Sequence, residues 1–163
     1  FGKETLDRTL LGLYFAEEEP EFHYSTYSLS HGGRNLVIPP RVSEHRMSAS
    51  HVFDEEIMLH GLRPHMHYRG KSMRFSVIYP DGTRDDIINV PDYNFAWQPS
   101  YRLSQPMLLP AGSRVVIEGA FDNSQYNLGN PDPDATVRGG AQSWDEMFIG
   151  YFSYHKTRKR VEP

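Results

Sequence analysis

Apolar and polar residues alternate one by one along several stretches of this chain. Met73, Phe75 and Val77 interleave with Ser72, Arg74 and Ser76, and the run closes on the turn signal Pro80-Asp81-Gly82. Val115, Ile117, Gly119 and Phe121 interleave with Arg114, Val116, Glu118 and Ala120 after Pro110-Ala111-Gly112. A period of two is that of a strand with one buried face. Leu10 to Phe15, Phe22 to Leu29, Asn35 to Ile38 and Met147 to Tyr154 also read as strands. About nine strands with short connections predict an all-β chain: a single antiparallel, jelly-roll-like β-sandwich domain over 1–163. Helix signals are weak. Thr5 to Leu11 offers a turn or two, and Ser143-Trp144-Asp145-Glu146 one capped turn. Asp122 to Gln142 is a long polar segment rich in Gly and Pro, of the kind that is functional or disordered.

Composition narrows the function. Seventeen basic and twenty-one acidic side chains give a net charge of −4, which argues against a nucleic-acid partner. The basic stretch His155 to Arg160 reads as a solvated end or a connector. No apolar run is long enough to span a membrane. The sequence opens at Phe1 with neither an initiator Met nor a secretion signal, so a mature product or a piece of a longer chain is expected. The chain has no Cys, which excludes disulfides, thiolate metal sites and thiol nucleophiles. Eight His and six Met remain as candidate ligands. No Ser stands in a nucleophile-elbow context.

The sharpest local feature is Arg63-Pro64-His65-Met66-His67. Two His at i and i+2 on a strand share a face, so both imidazoles can reach one ion. The Glu that a cupin needs three or four residues later is absent, since Lys71 and Ser72 stand there. A third ligand must come from elsewhere in the chain, and the candidate strand is Trp144 to Tyr151, where alternation puts Met147, Ile149 and Tyr151 on one face and Glu146, Phe148 and Gly150 on the other. Met147 would make a neutral, soft set suited to copper, above all Cu(I); Glu146 would suit zinc or non-heme iron. Spacing leaves that choice open. His45 and His51, with Met47 between them, share a parity and are a weaker candidate for a second metal. His60 lies five residues before His65 and is expected on the opposite face; His23, His31 and His155 have no partner pattern. Met58, Met66, Met73 and Met107 read as core filler, and Tyr93, Phe95, Trp97 and Tyr101 as cover for the sandwich.

Arg63 to Lys71, followed by Asp145-Glu146-Met147-Phe148-Ile149-Gly150-Tyr151, resembles the C-terminal domain of the type II copper, ascorbate-dependent monooxygenases, the family of peptidylglycine α-hydroxylating monooxygenase and dopamine β-monooxygenase. The likeness runs from about Leu10 to Tyr154 and is greatest to bacterial proteins, which have similar runs at Phe121 to Ser124 and Asn130 to Pro133. The resemblance implies one catalytic copper on His65, His67 and Met147, with no catalytic residue beyond these ligands. It also implies a substrate carboxylate held by Arg63 and Tyr151, at the offsets used by the peptide-hydroxylating branch. The implied reaction is O₂-dependent hydroxylation of a C–H bond, with ascorbate or another external electron donor, in an extracytoplasmic (periplasmic or secreted) setting. Two departures stand out. The animal enzymes carry a preceding domain that binds a second, electron-delivering copper, and their disulfides are missing here. A preceding domain or redox partner chain is therefore expected to supply electrons. The alternative is a non-catalytic copper-binding or structural module of a larger redox assembly.

Overall fold

A computed structural model describes residues 4–157 of the chain. Among these residues there are ten strands and no α-helix: β1 (Tyr24–Ser30), β2 (Val37–Ile38), β3 (His45–Val52), β4 (Ile57–His65), β5 (Gly70–Ile78), β6 (Arg84–Val90), β7 (Tyr101–Leu109), β8 (Arg114–Phe121), β9 (Val137–Arg138) and β10 (Ile149–Lys156). One four-stranded sheet has the order β1-β10-β4-β7, a second has β3-β8-β5-β6, and β2 pairs with β9. Every strand pair is antiparallel.

The alternating runs bury the faces their period assigns. Met73, Phe75 and Val77 of β5 and Val115, Ile117 and Phe121 of β8 are fully buried beneath Leu59, Leu62 and Phe152 of the first sheet. Phe75 meets Phe152 edge-on across the two sheets, centroids 5.5 Å apart. Pro106 lies in β7, an edge strand, where a missing N–H costs no ladder bond. Pro64 falls in β4 beyond Leu62, the last residue that pairs with β7. From Arg63 onward that side of β4 is therefore free to receive a loop.

One irregularity changes what faces outward. Gly61 pairs with Ser153 and Leu59 with Tyr154, so His60 is an extra residue bulged out of β4. The bulge resets parity: Leu59 and Leu62 are both buried, although they differ by an odd number. His60 consequently lines the same outward concavity as Arg63, instead of facing away from the His65 side as simple alternation predicts.

Three expected elements are absent. Leu10 to Phe15 forms no strand and Thr5 to Leu11 no helical turn. Tyr14 and Phe15 are 100% and 85% exposed, and Leu10, Leu11 and Leu13 also face solvent. With apolar side chains at both parities, that run suits only a strand buried on both faces, whereas each sheet here keeps one face in solvent. The third is the capped turn at Ser143 to Glu146, a plain turn in the structure. The Trp144 and Asp145 carbonyls that would continue a helix are taken by Arg69 Nη1 and His67 Nδ1. Trp97, expected as cover, is also exposed. The basic stretch from residue 158 onward lies outside the described residues.

Core and arm should respond oppositely to substitution. Phe152→Ala is expected to cost about 3–5 kcal/mol in urea unfolding, as for a buried ring. Replacing Leu10, Leu11, Leu13 and Phe15 together by Ser should cost less than about 1 kcal/mol.

Candidate metal centre

The site begins where β4 ends. His65 is the last residue of the strand, and Met66 and His67 follow without ladder partners. Met66 is fully buried, and its backbone is closed by one phenol: Met66 N–H donates to Tyr93 Oη at 3.0 Å, and Tyr93 Oη–H donates to the Met66 carbonyl at 2.6 Å. Burial pushes the Tyr93 hydroxyl up to about 12, so it stays a donor at any ordinary pH. With Met66 anchored inward, the flanking imidazoles of His65 and His67 come side by side, centroids 5.1 Å apart.

The other ring nitrogen of each His fixes its tautomer. His67 Nδ1 lies 3.1 Å from the Asp145 carbonyl, which only accepts, so Nδ1 carries the proton. His65 Nδ1 lies 2.7 Å from Gln98 Oε1, and the Gln98 amide is oriented by its own Nε2 donating to the Phe95 carbonyl at 2.8 Å. Both Nε2 lone pairs are thus left free, the arrangement that metal-ligating His require. Burial holds the His65 imidazole below its ordinary value; the Gln98 bond opposes this, and the charges of His67 and Arg63 add to it. A neutral ring keeps its lone pair.

Glu146, one of the two third-ligand candidates, is engaged elsewhere. It is fully buried, and its carboxylate accepts His67 N–H at 2.8 Å on Oε2 and Arg69 N–H at 2.7 Å on Oε1. Burial raises its pKa, and against the opposing pull of these N–H groups and the Arg69 charge it stands at about 7. Each oxygen accepts a backbone N–H, so Glu146 serves as a clamp, and among the described residues it forms no metal-holding group with His65 and His67. Met147 is half-buried, and it alternates with the buried pair Glu146 and Phe148 in the parity of Ile149 and Tyr151. Among the described residues no group of three or more His, Cys, Asp or Glu converges to hold an ion. A three-donor set that includes His65 and His67 therefore draws on something else, and the Met147 thioether is the candidate.

A second buried polar residue braces this arrangement. The Arg69 side chain, 2% exposed, donates to Asn123 Oδ1 and to the Trp144 carbonyl, both at 2.8 Å. Asn123, fully buried, donates in turn to the Pro39 and Ala135 carbonyls. The long Asp122 to Gln142 segment is thereby tied to the His turn at its start, through Asn123, and just beyond its end, through Trp144.

Arg63 and Tyr151 are neighbours. They are direct cross-strand partners, with the guanidinium carbon 4.4 Å over the Tyr151 ring centroid, and the His65 ring lies 6.5 Å from that ring. Both line an outward concavity of about 410 Å³ beside the His turn.

His45 and His51 do not form a second site. They pair with Phe121 and Val115 at opposite ends of the β3–β8 ladder, and His51 stacks on Tyr27 and is hydrogen-bonded to its hydroxyl at 3.0 Å. Their shared parity puts them on one face but more than a strand half-length apart. His23 and His31 are exposed. His155, which has no partner pattern in the sequence, is buried with Nδ1 2.8 Å from His60 Nε2. Sequence reasoning missed Gln98, the Tyr93 hydroxyl and the clamping role of Glu146. The Gln98 and Tyr93 contacts span 33 and 27 residues without a recurring pattern, and Glu146 was weighed only as a ligand.

The family model described as "Copper type II ascorbate-dependent monooxygenase, C-terminal domain" matches residues 26–162. Among solved structures, the infectious bursal disease virus VP2 subviral particle is similar at 10% identity and a TM-score of 0.36 over 82% of this chain. The structure of the Gt strain of the same virus gives 10% identity and a TM-score of 0.37 over 85%. The chain spans 32% and 33% of those two chains' lengths. Likeness this weak decides neither fold nor function. No curated protein matches the chain.

The clamp sets the next expectation. Glu146→Ala leaves two backbone N–H groups and a buried guanidinium without their acceptor or counter-charge, and should cost about 3–5 kcal/mol in urea unfolding. Glu146→Gln, which keeps one acceptor oxygen, should cost clearly less than Glu146→Ala. A loss under about 1 kcal/mol for Glu146→Ala would show that the His turn is held by other contacts.

Proposed function

This chain belongs to the C-terminal-domain family of the copper type II ascorbate-dependent monooxygenases, and from that membership we propose that it is a mononuclear copper-binding domain that supports O₂-dependent hydroxylation of a substrate C–H bond. The observation that carries the reading is the pair of imidazoles, 5.1 Å apart, with both Nδ1 protons already committed and both Nε2 atoms free. Two rings that ligate one ion through Nε2 at about 2.0–2.1 Å place their centroids on the order of 5 Å apart. The donor set fits copper. His65, His67 and Met147 offer neutral nitrogen and sulfur, which suits Cu(I) better than a hard cation. Copper bound there would supply the one-electron chemistry that activates O₂.

The chain's own residues do the rest. Gln98 and the Asp145 carbonyl hold the two rings in one tautomer and one orientation. Phe95 packs edge-on to His67 and Tyr68, and shields that side of the site from water. Arg63, spread over Tyr151, keeps in-plane N–H groups for a substrate carboxylate and holds it one strand repeat from His65. Hydroxylation consumes two electrons per turnover, so ascorbate, another external donor, a preceding domain or a redox partner chain supplies them. An extracytoplasmic location goes with this reading. A second reading, a non-catalytic copper-binding or structural module of a larger assembly, is favoured by the exposed apolar stretch Leu6 to Phe15. That stretch lies ahead of the family match and offers contact surface to another domain.

Titration with Cu(I) against a competing chelator tests the proposal. About one equivalent should bind, and His65→Ala or His67→Ala should abolish tight binding. Gln98→Leu should weaken it by about tenfold through loss of the orienting bond. Met147→Ala should weaken Cu(I) binding more than Cu(II), because the thioether favours the softer ion. Equal weakening of both oxidation states would remove Met147 from the ligand set, and failure of the unaltered chain to bind Cu(I) would sink the reading. With ascorbate and O₂ the chain alone should give slow, uncoupled peroxide formation. Rapid coupled hydroxylation would reveal an electron source within it.

A further inference from the structure

The concavity beside Arg63 is larger than one carboxylate needs. It is about 410 Å³ and runs across the outward face of the first sheet from β1 to β7. Its lining contains hydroxyls of Tyr24, Thr26 and Tyr151, two guanidinium groups, Arg63 and Arg102, and no carboxylate. Its floor lies at Gly61. A Cβ there would come 2.8 Å from the Tyr101 carbonyl oxygen, so β4 and β7 pack closely at this point and glycine alone fits, leaving no side chain of residue 61 between the two arginines.

Those arginines sit at different ends. Arg63 faces Tyr151 on β10, and its guanidinium lies over that ring. Arg102 is on β7 opposite Gly61, on the far side of the floor. A diagonal of this kind separates backbone positions by about 7–8 Å. The Arg102 charge reaches His60: burial first, then His155, then Arg102 hold that imidazole below its ordinary value. His60 is fixed by its 2.8 Å hydrogen bond to His155, on which Phe22 stacks at 4.3 Å, so the wall beside Arg102 is built rather than loose. Among the described residues neither Arg63 nor Arg102 pairs with a carboxylate, although the other sheet's Arg74 and Arg84 are matched with Asp86 and Glu118.

We propose that this concavity is a two-point anion site: the substrate carries two carboxylates, the near one on Arg63 and Tyr151 beside the His turn and the far one on Arg102. The inference rests on the reading that Arg63 and Tyr151 receive the substrate. Arg63 is held toward β10 by its ring contact, so the two guanidinium groups grip an elongated diacid at its ends instead of converging on one oxyanion.

Calorimetric titration of the full chain, freed of metal by chelation so that carboxylates cannot ligate copper, compares adipate with hexanoate, its monocarboxylate of equal length. Adipate should bind on the order of tenfold more tightly. Arg102→Gln should abolish that advantage, and Arg63→Gln should weaken both acids. Circular dichroism checks the fold of each variant. Equal binding of the two acids, or an adipate advantage that survives Arg102→Gln, overturns the far position and leaves the Arg63 reading standing. Binding of both acids that Arg63→Gln does not change, or no binding of either, overturns both. Inorganic phosphate that binds more tightly than adipate and needs both arginines shows one convergent oxyanion site and also overturns the proposal.

Discussion

The Glu146 carboxylate joins pieces of chain that sequence keeps 77 and 79 residues apart, by taking the Arg69 and His67 N–H groups on its two oxygens. A buried carboxylate with no such donors is expelled or protonated, and backbone donors with no such acceptor do not stay buried. Each half therefore requires the other. Because Met147 follows Glu146 directly, one buried group sets the turn that carries the imidazoles and the approach to the strand beside the thioether. The distance between ligand candidates is a property of backbone, which mutation of surface residues does not move.

The sandwich contributes an interruption as much as a platform. β7 stops pairing with β4 at Leu62, and Pro64, which has no N–H to give, lies beyond that point. The opening admits the loop that brings Gln98 to His65 and the Tyr93 hydroxyl to Met66. A β4 that stayed paired along its whole length would leave His65 with no room for a side-on partner. The bulge at His60 works in the same direction, turning His60 onto the outer face, with Gly61 packed closely against the Tyr101 backbone beside it.

Much of this was legible in the residues, and the limits follow from what periodicity encodes. Alternation reports which face a side chain takes within one regular strand. It therefore assigned the cores of β5 and β8, and it separated Glu146 and Phe148 from Met147 and Tyr151. It fails where a strand is irregular: the bulge at His60 is one residue, invisible to a pattern of two, and it reversed the side expected for that His. It also fails where no strand forms, as at Leu10 to Phe15, since an apolar run says that burial is wanted and not what provides it. His45 and His51 show a third limit, because a common face is not a common place. The partners that fix the imidazoles are a side-chain amide and a main-chain carbonyl, and neither has a sequence signature.

Arg69 and Asn123 tie the long polar segment to the His turn with hydrogen bonds alone, in a chain without cysteine. A disulfide performing that task would be a second redox couple a short distance from the ligand candidates, open to the same reductant that a copper site consumes. Guanidinium and amide groups have no accessible couple. The fastening is thus insensitive to how strongly reducing the surroundings are. The loop tied to the His turn therefore stays fastened under oxidising and reducing conditions alike.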